Sequence, residues 1–183
     1  ALELGFAIPR VCFKDNLLLD PDMYILKVYD VEAGKGNVIT HKILATHDTE
    51  LLDLLKGEKC YDPIYNLPAI WIEEDQRKTA EMEGFMLIDP VSLITIHLAE
   101  IIKIHIDELF GLQETCELIE TIKKINPVVV KEIYPSRISL PEIQKIMRNL
   151  LRERVPIRNL VTIFETIGMY SHIKSPDLIS EYV

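Results

Sequence analysis

The sequence predicts an α/β unit followed by an all-α unit, and three observations predict it. Runs that alternate apolar and polar residues fall within the first 47 positions. A strongly acidic stretch fills 48–89, with 11 acids against 4 bases. From 90 onward, helix start and stop signals follow one another. Mixed elements first and helices afterwards imply two packed layers joined to a small bundle.

Composition bounds the function. The chain has 183 residues, 48% hydrophobic and 27% charged, with a formal net charge of −9. That length carries one domain or two small ones with a real core. The apolar fraction excludes a disordered chain. The acidic balance argues against a protein that wraps nucleic acid or lies on an anionic membrane surface. Mean hydropathy is slightly positive, so a covering partner or neighbouring parts of a larger protein are expected. The chain opens Ala1-Leu-Glu-Leu-Gly-Phe6 without an initiator Met and stops at Glu181-Tyr-Val183 inside a helical pattern. Both ends read as those of an excised piece. No signal peptide or membrane span is expected, because the most apolar stretch, 91–110, carries His97, Glu100, Lys103, His105 and Asp107. Cys12, Cys60 and Cys116 are too far apart for a zinc knuckle and odd in number for a disulfide framework, so reduced thiols are expected.

In chain order, strands are expected at 10–13, 24–31 and 37–44, with Gly34-Lys-Gly-Asn37 as a hairpin turn. Two short helices, near 49–56 and 73–83, flank a loop over 57–70. Asp89-Pro90 opens a helix, an N-cap acid before a proline at the first helical position. Gly111 is the expected stop. A second helix runs over 113–125 and closes at Asn126-Pro127. Ser139-Leu-Pro-Glu142 is a capping box opening a third. Pro156 starts a fourth that ends near Gly168, and Ser175-Pro176 starts a last one.

Chemistry-bearing patterns are sparse. There is no phosphate loop, G-x-G-x-x-G, G-x-S-x-G or H-E-x-x-H. His97 and His105, eight apart, lie about 80° apart around a helix and do not converge as ligands. No metal, cofactor or catalytic residue is expected. The helix after Pro90 has a polar stripe of Glu100, Lys103 and Asp107, and Ile96 falls on it; this isoleucine is either a chance exposure or a contact. The loop Tyr61-Asp-Pro-Ile-Tyr-Asn-Leu-Pro68 is apolar, aromatic and stiffened by two prolines. It either folds onto the core or presents Ile64 and Tyr65 for docking, with Asp62 as an orienting charge. Residues 131–158 hold seven bases against three acids, and Lys145, Arg148 and Arg152 share one helix face. That face is a solvated surface or a salt-bridged subunit contact; a DNA-binding helix-turn-helix is opposed by the net charge. An acidic middle and a basic tail suit head-to-tail pairing into a ring.

In this order and spacing, several motifs resemble the cytoplasmic domain of the large export gate protein family of type III secretion, with a pattern nearer the flagellar branch. They are Ala1–Phe6 with Lys14-Asp-Asn16, Asp62-Pro63 with Leu67-Pro-Ala-Ile-Trp-Ile72, and Gly84-Phe85 with Asp89-Pro90. His97-Leu98, Glu108-Leu-Phe-Gly111, Gln113-Glu114, Ile143-Gln-Lys145 and Asn149-Leu-Leu-Arg152 continue the series. Val155-Pro-Ile-Arg158, Leu160-Val-Thr-Ile163, Asp177-Leu178 and Glu181–Val183 complete it.

The resemblance implies a thioredoxin-like α/β subdomain (1–40 plus 90–109, incomplete at its N-terminus) with a small inserted subdomain (41–89). A small helical subdomain (110–183) follows, and a fourth subdomain is absent. It implies a non-enzymatic docking platform on the cytoplasmic face of the bacterial inner membrane, attached through an N-terminal membrane portion outside this chain. The implied partners are flagellar export chaperone–substrate complexes, other export components including the soluble ATPase complex, and further copies in a ring of nine. An injectisome export gate or a thioredoxin-like redox enzyme is the alternative. The family's groove motif Asp-Pro-Ala-Phe-Gly-Leu-Pro stands here as Asp62–Pro68, so Asp62 and Tyr65 are the implied groove acid and aromatic, with Ile64 and Leu67 beside them. The family's Thr-His-Leu stands as Ile96-His97-Leu98, which adds Ile96; Ile88 and Leu93 match apolar groove positions. Tyr for Phe adds a hydroxyl, Ile for Thr makes the groove greasier, and Asn66 for Gly tolerates a left-handed turn. Leu112 stands where the family usually has an Arg, so the resemblance implies no ring contact by an Arg at this position. Lys145, Arg148 and Arg152 remain the expected subunit-contact face.

Overall fold

A computed structural model of the chain describes residues 10–47 and 51–183. The Ala1–Phe6 motif and the beginning of the helix expected from 49 lie outside them. Two compact units are present, one over Phe13–Ile104 and one holding His105–Val183.

The first unit begins with a two-stranded antiparallel ribbon, β1 (Met23–Val28) and β2 (Val31–Asn37), with Met23 opposite Asn37 and Val28 opposite Val31. Its turn is Tyr29-Asp30, both in the left-handed region at φ 50° and 64°. That is the two-residue geometry matching the twist of the strands. Gly34 and Gly36 therefore sit inside β2 and not in the turn, which corrects the expected hairpin. No strand forms at 10–13.

A four-stranded antiparallel sheet follows in the order β4-β5-β3-β6, from β3 (Ile43–Thr46), β4 (Gly57–Tyr61), β5 (Pro68–Ile72) and β6 (Met86–Ile88). The expected loop over 57–70 is thus largely strand. Its first part is a polar edge, Gly57-Glu-Lys-Cys-Tyr61, with little periodicity to mark it. In β5 every residue after Pro68 is buried, because both faces are covered. Ala69 and Trp71 join Leu44, Val38 and Leu93 on one side. Ile70 and Ile72 join Ile43, Ala45, Leu52, Leu55, Ala80 and Phe85 on the other. The period of two along a strand makes this partition. A 3-10 turn at Leu51–Leu54 and α1 (Arg77–Met82), led by a 3-10 turn at Glu74–Gln76, take the places of the two expected helices.

The start at Asp89-Pro90 stands as read: the Asp89 carboxylate accepts from the Ser92 backbone N–H at 2.9 Å and its hydroxyl at 2.6 Å. Those bonds hold the Asp89 carboxyl below its usual range. The helix is α2 (Pro90–Ile104); it breaks at His105, and α3 (Ile106–Leu109) follows. Asp107 therefore leaves the polar stripe that Glu100 and Lys103 form. Gly111 is the N-cap of α4 (Leu112–Ile125), its N–H donating to Glu114, and not a helix stop.

The helical unit packs α3, α4, α5 (Pro127–Ile133), α6 (Leu140–Arg152), α7 (Leu160–Tyr170) and α8 (Pro176–Tyr182) around one core. Asn126-Pro127 both ends α4 and caps α5, which the sequence reading missed; the Asn126 side chain accepts from Val129. The capping box at Ser139 forms, with the backbone N–H and hydroxyl donating to Glu142 at 2.8 and 2.6 Å. α6 buries Ile143, Ile146, Met147, Leu150 and Leu151, one apolar stripe at helical spacing. α7 starts at Leu160, capped by Asn159, and not at Pro156.

Candidate functional site

The candidate docking residues gather in the first unit. The loop between β4 and β5 is organised by Asp62, which is 4% exposed. Its carboxylate accepts from the N–H of Ile64 at 3.1 Å and of Tyr65 at 3.0 Å. Its backbone closes the turn: the Asp62 N–H donates to the Leu67 carbonyl at 2.8 Å, and the Asn66 N–H to the Asp62 carbonyl at 2.9 Å. Asn66 takes φ 55°, the left-handed conformation expected of it. Asp62 therefore shapes the loop from inside instead of offering a charge to solvent.

That turn divides the loop's side chains. Ile64 packs inward, with Ile88 of β6 and Leu93 of α2, against the cluster of Leu44, Ala69 and Trp71. Tyr65 and Leu67 point outward, 61% and 46% exposed. Ile96, one turn beyond Leu93 on α2, is 41% exposed, whereas Leu93 is fully buried. Of the seven residues read as groove-lining, Tyr65, Leu67 and Ile96 present surface, while Leu93 and Asp62 support it from below. Beside the loop, an open depression of about 390 Å³ is lined by Met23, Lys35, Gly36, Tyr61, Pro63 and Trp71 among others.

Four residues to which the sequence reading gave no part in the site tie this region together. The Tyr24 hydroxyl and His97 Nδ1 are 2.7 Å apart, with the rings edge to face. Burial pushes the Tyr24 phenol up to about 12, with the Asp62 charge adding to it. Burial holds the His97 imidazole below its usual range, against the pull of Asp62. Gly34 and Gly36 leave room for these rings. The signal was present: two glycines two apart in a strand pattern mark a close approach.

The basic face resolves into internal pairs. Lys145 donates to Asp177 at 2.7 Å, and Asn149 to the same carboxylate at 2.9 Å, tying α6 to α8. These bonds hold the Asp177 carboxyl below its usual range. Arg152 donates through Nε and Nη2 to one oxygen of Asp107 at 3.1 and 2.9 Å, tying α6 to α3. Two of the three expected subunit-contact cations thus have partners in their own chain. Arg148 is half-buried on the same helix.

Among the described residues no group of three or more His, Cys, Asp or Glu is placed to hold a metal ion. Burial, then the charges of Glu58 and Asp62, push the Cys60 thiol up to about 11, the direction opposite to that of a reactive thiol. Among the described residues no helix is long and apolar enough to cross a membrane.

Comparison with known proteins agrees with this architecture. The chain is 43% identical to the flagellar biosynthesis protein FlhA of Bacillus subtilis over 183 residues, which is all of this chain and 27% of that protein. It therefore spans about a quarter of that relative's length. Its fold superposes on CdsV in the Chlamydia pneumoniae CdsV and CdsO complex with a TM-score of 0.85, at 25% identity, covering 99% of this chain and 56% of that one. It also matches the nonameric EscV cytosolic domain from the type III secretion system with a TM-score of 0.64, at 20% identity, covering 90% of this chain and 49% of that one. The model of the FHIPEP family matches residues 1–183 without a gap in coverage, and the chain belongs to the FHIPEP family.

Proposed function

We propose that this chain is a cytoplasmic docking platform of the flagellar type III protein export gate, a recognition module and not a catalyst. Tyr65, Leu67 and Ile96 receive an apolar helix of an export chaperone–substrate complex, and copies of the chain assemble into a ring on the cytoplasmic side of the inner membrane. The observation that carries the reading is the Asp62 turn. A buried carboxylate holds two backbone N–H groups so that Tyr65 and Leu67 face solvent while the partly buried Ile64 packs against the core. A stiff loop offering an aromatic and an aliphatic anchor is the kind of surface that takes an amphipathic helix.

The ring and the further partners rest on relatives. EscV is described as nonameric and CdsV as bound to CdsO; by analogy this chain forms a ring and meets other export components, the soluble ATPase complex among them. The thioredoxin-like character of 1–40 plus 90–109, the insert at 41–89 and the helical subdomain 110–183 belong to the same reading. The flagellar branch is preferred to the injectisome because the 43% identity is to a flagellar protein, whereas the secretion-system structures stand at 25% and 20%.

Titration of the chain with flagellar chaperone–substrate complexes tests the docking surface. Tyr65→Ala is expected to cost about 2 kcal/mol of binding, the scale of a central aromatic anchor. Unchanged affinity in both Tyr65→Ala and Asp62→Ala refutes the assignment.

A further inference from the structure

β2 reaches the two candidate walls of the docking surface at neighbouring positions of one face. A Cβ on Gly36 would stand 2.9 Å from Pro63 Cβ, so the strand lies directly against the 62–67 loop. A Cβ on Gly34 would stand 2.8 Å from His97 Nε2 and 3.0 Å from Ile101 Cδ1, so the same strand lies directly against α2. Residues two apart in a strand share a face and are separated by about 6.6 Å. Tyr24 is the cross-strand partner of Gly36. Its hydroxyl oxygen lies 2.6 Å from where a Gly36 Cβ would be, and it hydrogen-bonds His97 at 2.7 Å. The ring thus spans from the loop's contact point to the helix's. Neither glycine has a positive φ among the described residues, so what each position requires is space and not an unusual backbone.

We propose that the Gly34–Gly36 face of β2, locked by the Tyr24–His97 hydrogen bond, is a spacer that fixes the separation between the 62–67 loop and α2, and so selects the size of the side chain the docking surface admits. The inference rests on the docking reading for its consequence, and on packing alone for its geometry. Tyr24 and His97 are positioning residues: they present no anchor of their own, and they act through Pro63 and Ile96. The groups around His97 are few. β1 contributes Tyr24, the loop contributes Asp62, β2 offers a glycine at the contact, and α2 places Glu100, paired with Lys103, one turn on. Protonated His97 carries a hydrogen on Nδ1, which the Tyr24 hydroxyl oxygen accepts, so the contact persists with its direction reversed.

The test uses the full chain and two readouts. Amide and methyl NMR of the chain alone reports the walls at residues 64–67 and 96, and titration with one purified flagellar chaperone–substrate complex reports docking. Tyr24→Phe keeps the ring and removes only the hydrogen bond. It is expected to shift the wall resonances and to weaken docking about ten-fold, the equivalent of about 1.4 kcal/mol. Gly36→Ala is expected to do the same by displacing Pro63, and to be non-additive with Tyr24→Phe because both act on one contact. If Gly36→Ala does not fold, Tyr24→Phe decides. Wall resonances unmoved in folded Tyr24→Phe overturn the spacer. Tyr65→Ala and Asp62→Ala distinguish the two readings: if both leave affinity unchanged, the docking reading fails and the spacer stands or falls on the resonances alone.

Discussion

Asp62→Ala is the most informative single change. The carboxylate is 4% exposed and accepts two backbone N–H groups, from Ile64 at 3.1 Å and Tyr65 at 3.0 Å. A hydrogen bond to a charged acceptor contributes about 1.5–3 kcal/mol, and a buried donor left without a partner costs about 1–3 kcal/mol. The two N–H groups are only partly buried, so water recovers part of the loss; a net destabilisation of about 2–3 kcal/mol is expected. Asp62→Asn keeps one acceptor oxygen and turns an N–H₂ toward the second donor, so about half of that loss is expected. Urea unfolding of the chain, with the slope unchanged, measures both. Amide hydrogen exchange at Ile64 and Tyr65 localises the effect, since both protons should exchange faster before global unfolding. If Asp62→Ala stays within about 0.5 kcal/mol of the parent, the range of an ordinary surface change, the loop is not held from within and the argument for an ordered Tyr65 falls.

Four further outcomes follow from the same geometry. Leu93→Ala, fully buried beneath Ile96 and beside Trp71, should cost about 2–5 kcal/mol in urea unfolding; a smaller loss would mean that the cluster under the loop collapses freely. His97, held below its usual range mainly by burial, binds fewer protons folded than unfolded in the window between its folded value and the ordinary value of about 6.5. Stability is then full above about 6.5 and falls as pH drops through that window, and His97→Gln should flatten this limb in unfolding measured between pH 7.5 and 5.5. Arg152→Glu sets a second carboxylate against Asp107, whose side chain is 15% exposed, and should destabilise the helical unit by about 1 kcal/mol. Arg148→Glu should weaken self-association in sedimentation if the basic face is a subunit contact.

Local chemistry was legible and non-local packing was not. Asp89-Pro90, Ser139 with Glu142, and Ser175-Pro176 each announce a helix start through groups within three residues, and each start is where it was read. β4 escaped because an edge strand exposes both faces and keeps a polar composition. The break at His105 escaped because the apolar pattern runs through it. In the candidate site, the aromatic loop and Ile96 were visible as exceptions to pattern, but pattern alone left each open between exposure and contact. Burial divides them by role: Ile64 and Leu93 inside, Tyr65, Leu67 and Ile96 outside.

The glycine pair shows why such divisions need coordinates. Gly-x-Gly between two strand-like runs is a turn signal when only neighbours are considered, and Tyr29-Asp30 holds no glycine to compete with it. The turn nevertheless forms at Tyr29-Asp30, where both residues tolerate a left-handed backbone under the twist of the ribbon. The glycines answer instead to groups far along the chain, His97 for Gly34 and Pro63 for Gly36. A residue chosen for what it lacks leaves no trace in propensity, and its reason appears only when the distant partner is in place. The same holds for Asp62, whose charge reads as a surface feature until its two backbone donors are seen to be on its own loop. In this unit, then, side chains that would bind a partner can be nominated from pattern, while those that hold them in position are found only through contacts across the fold.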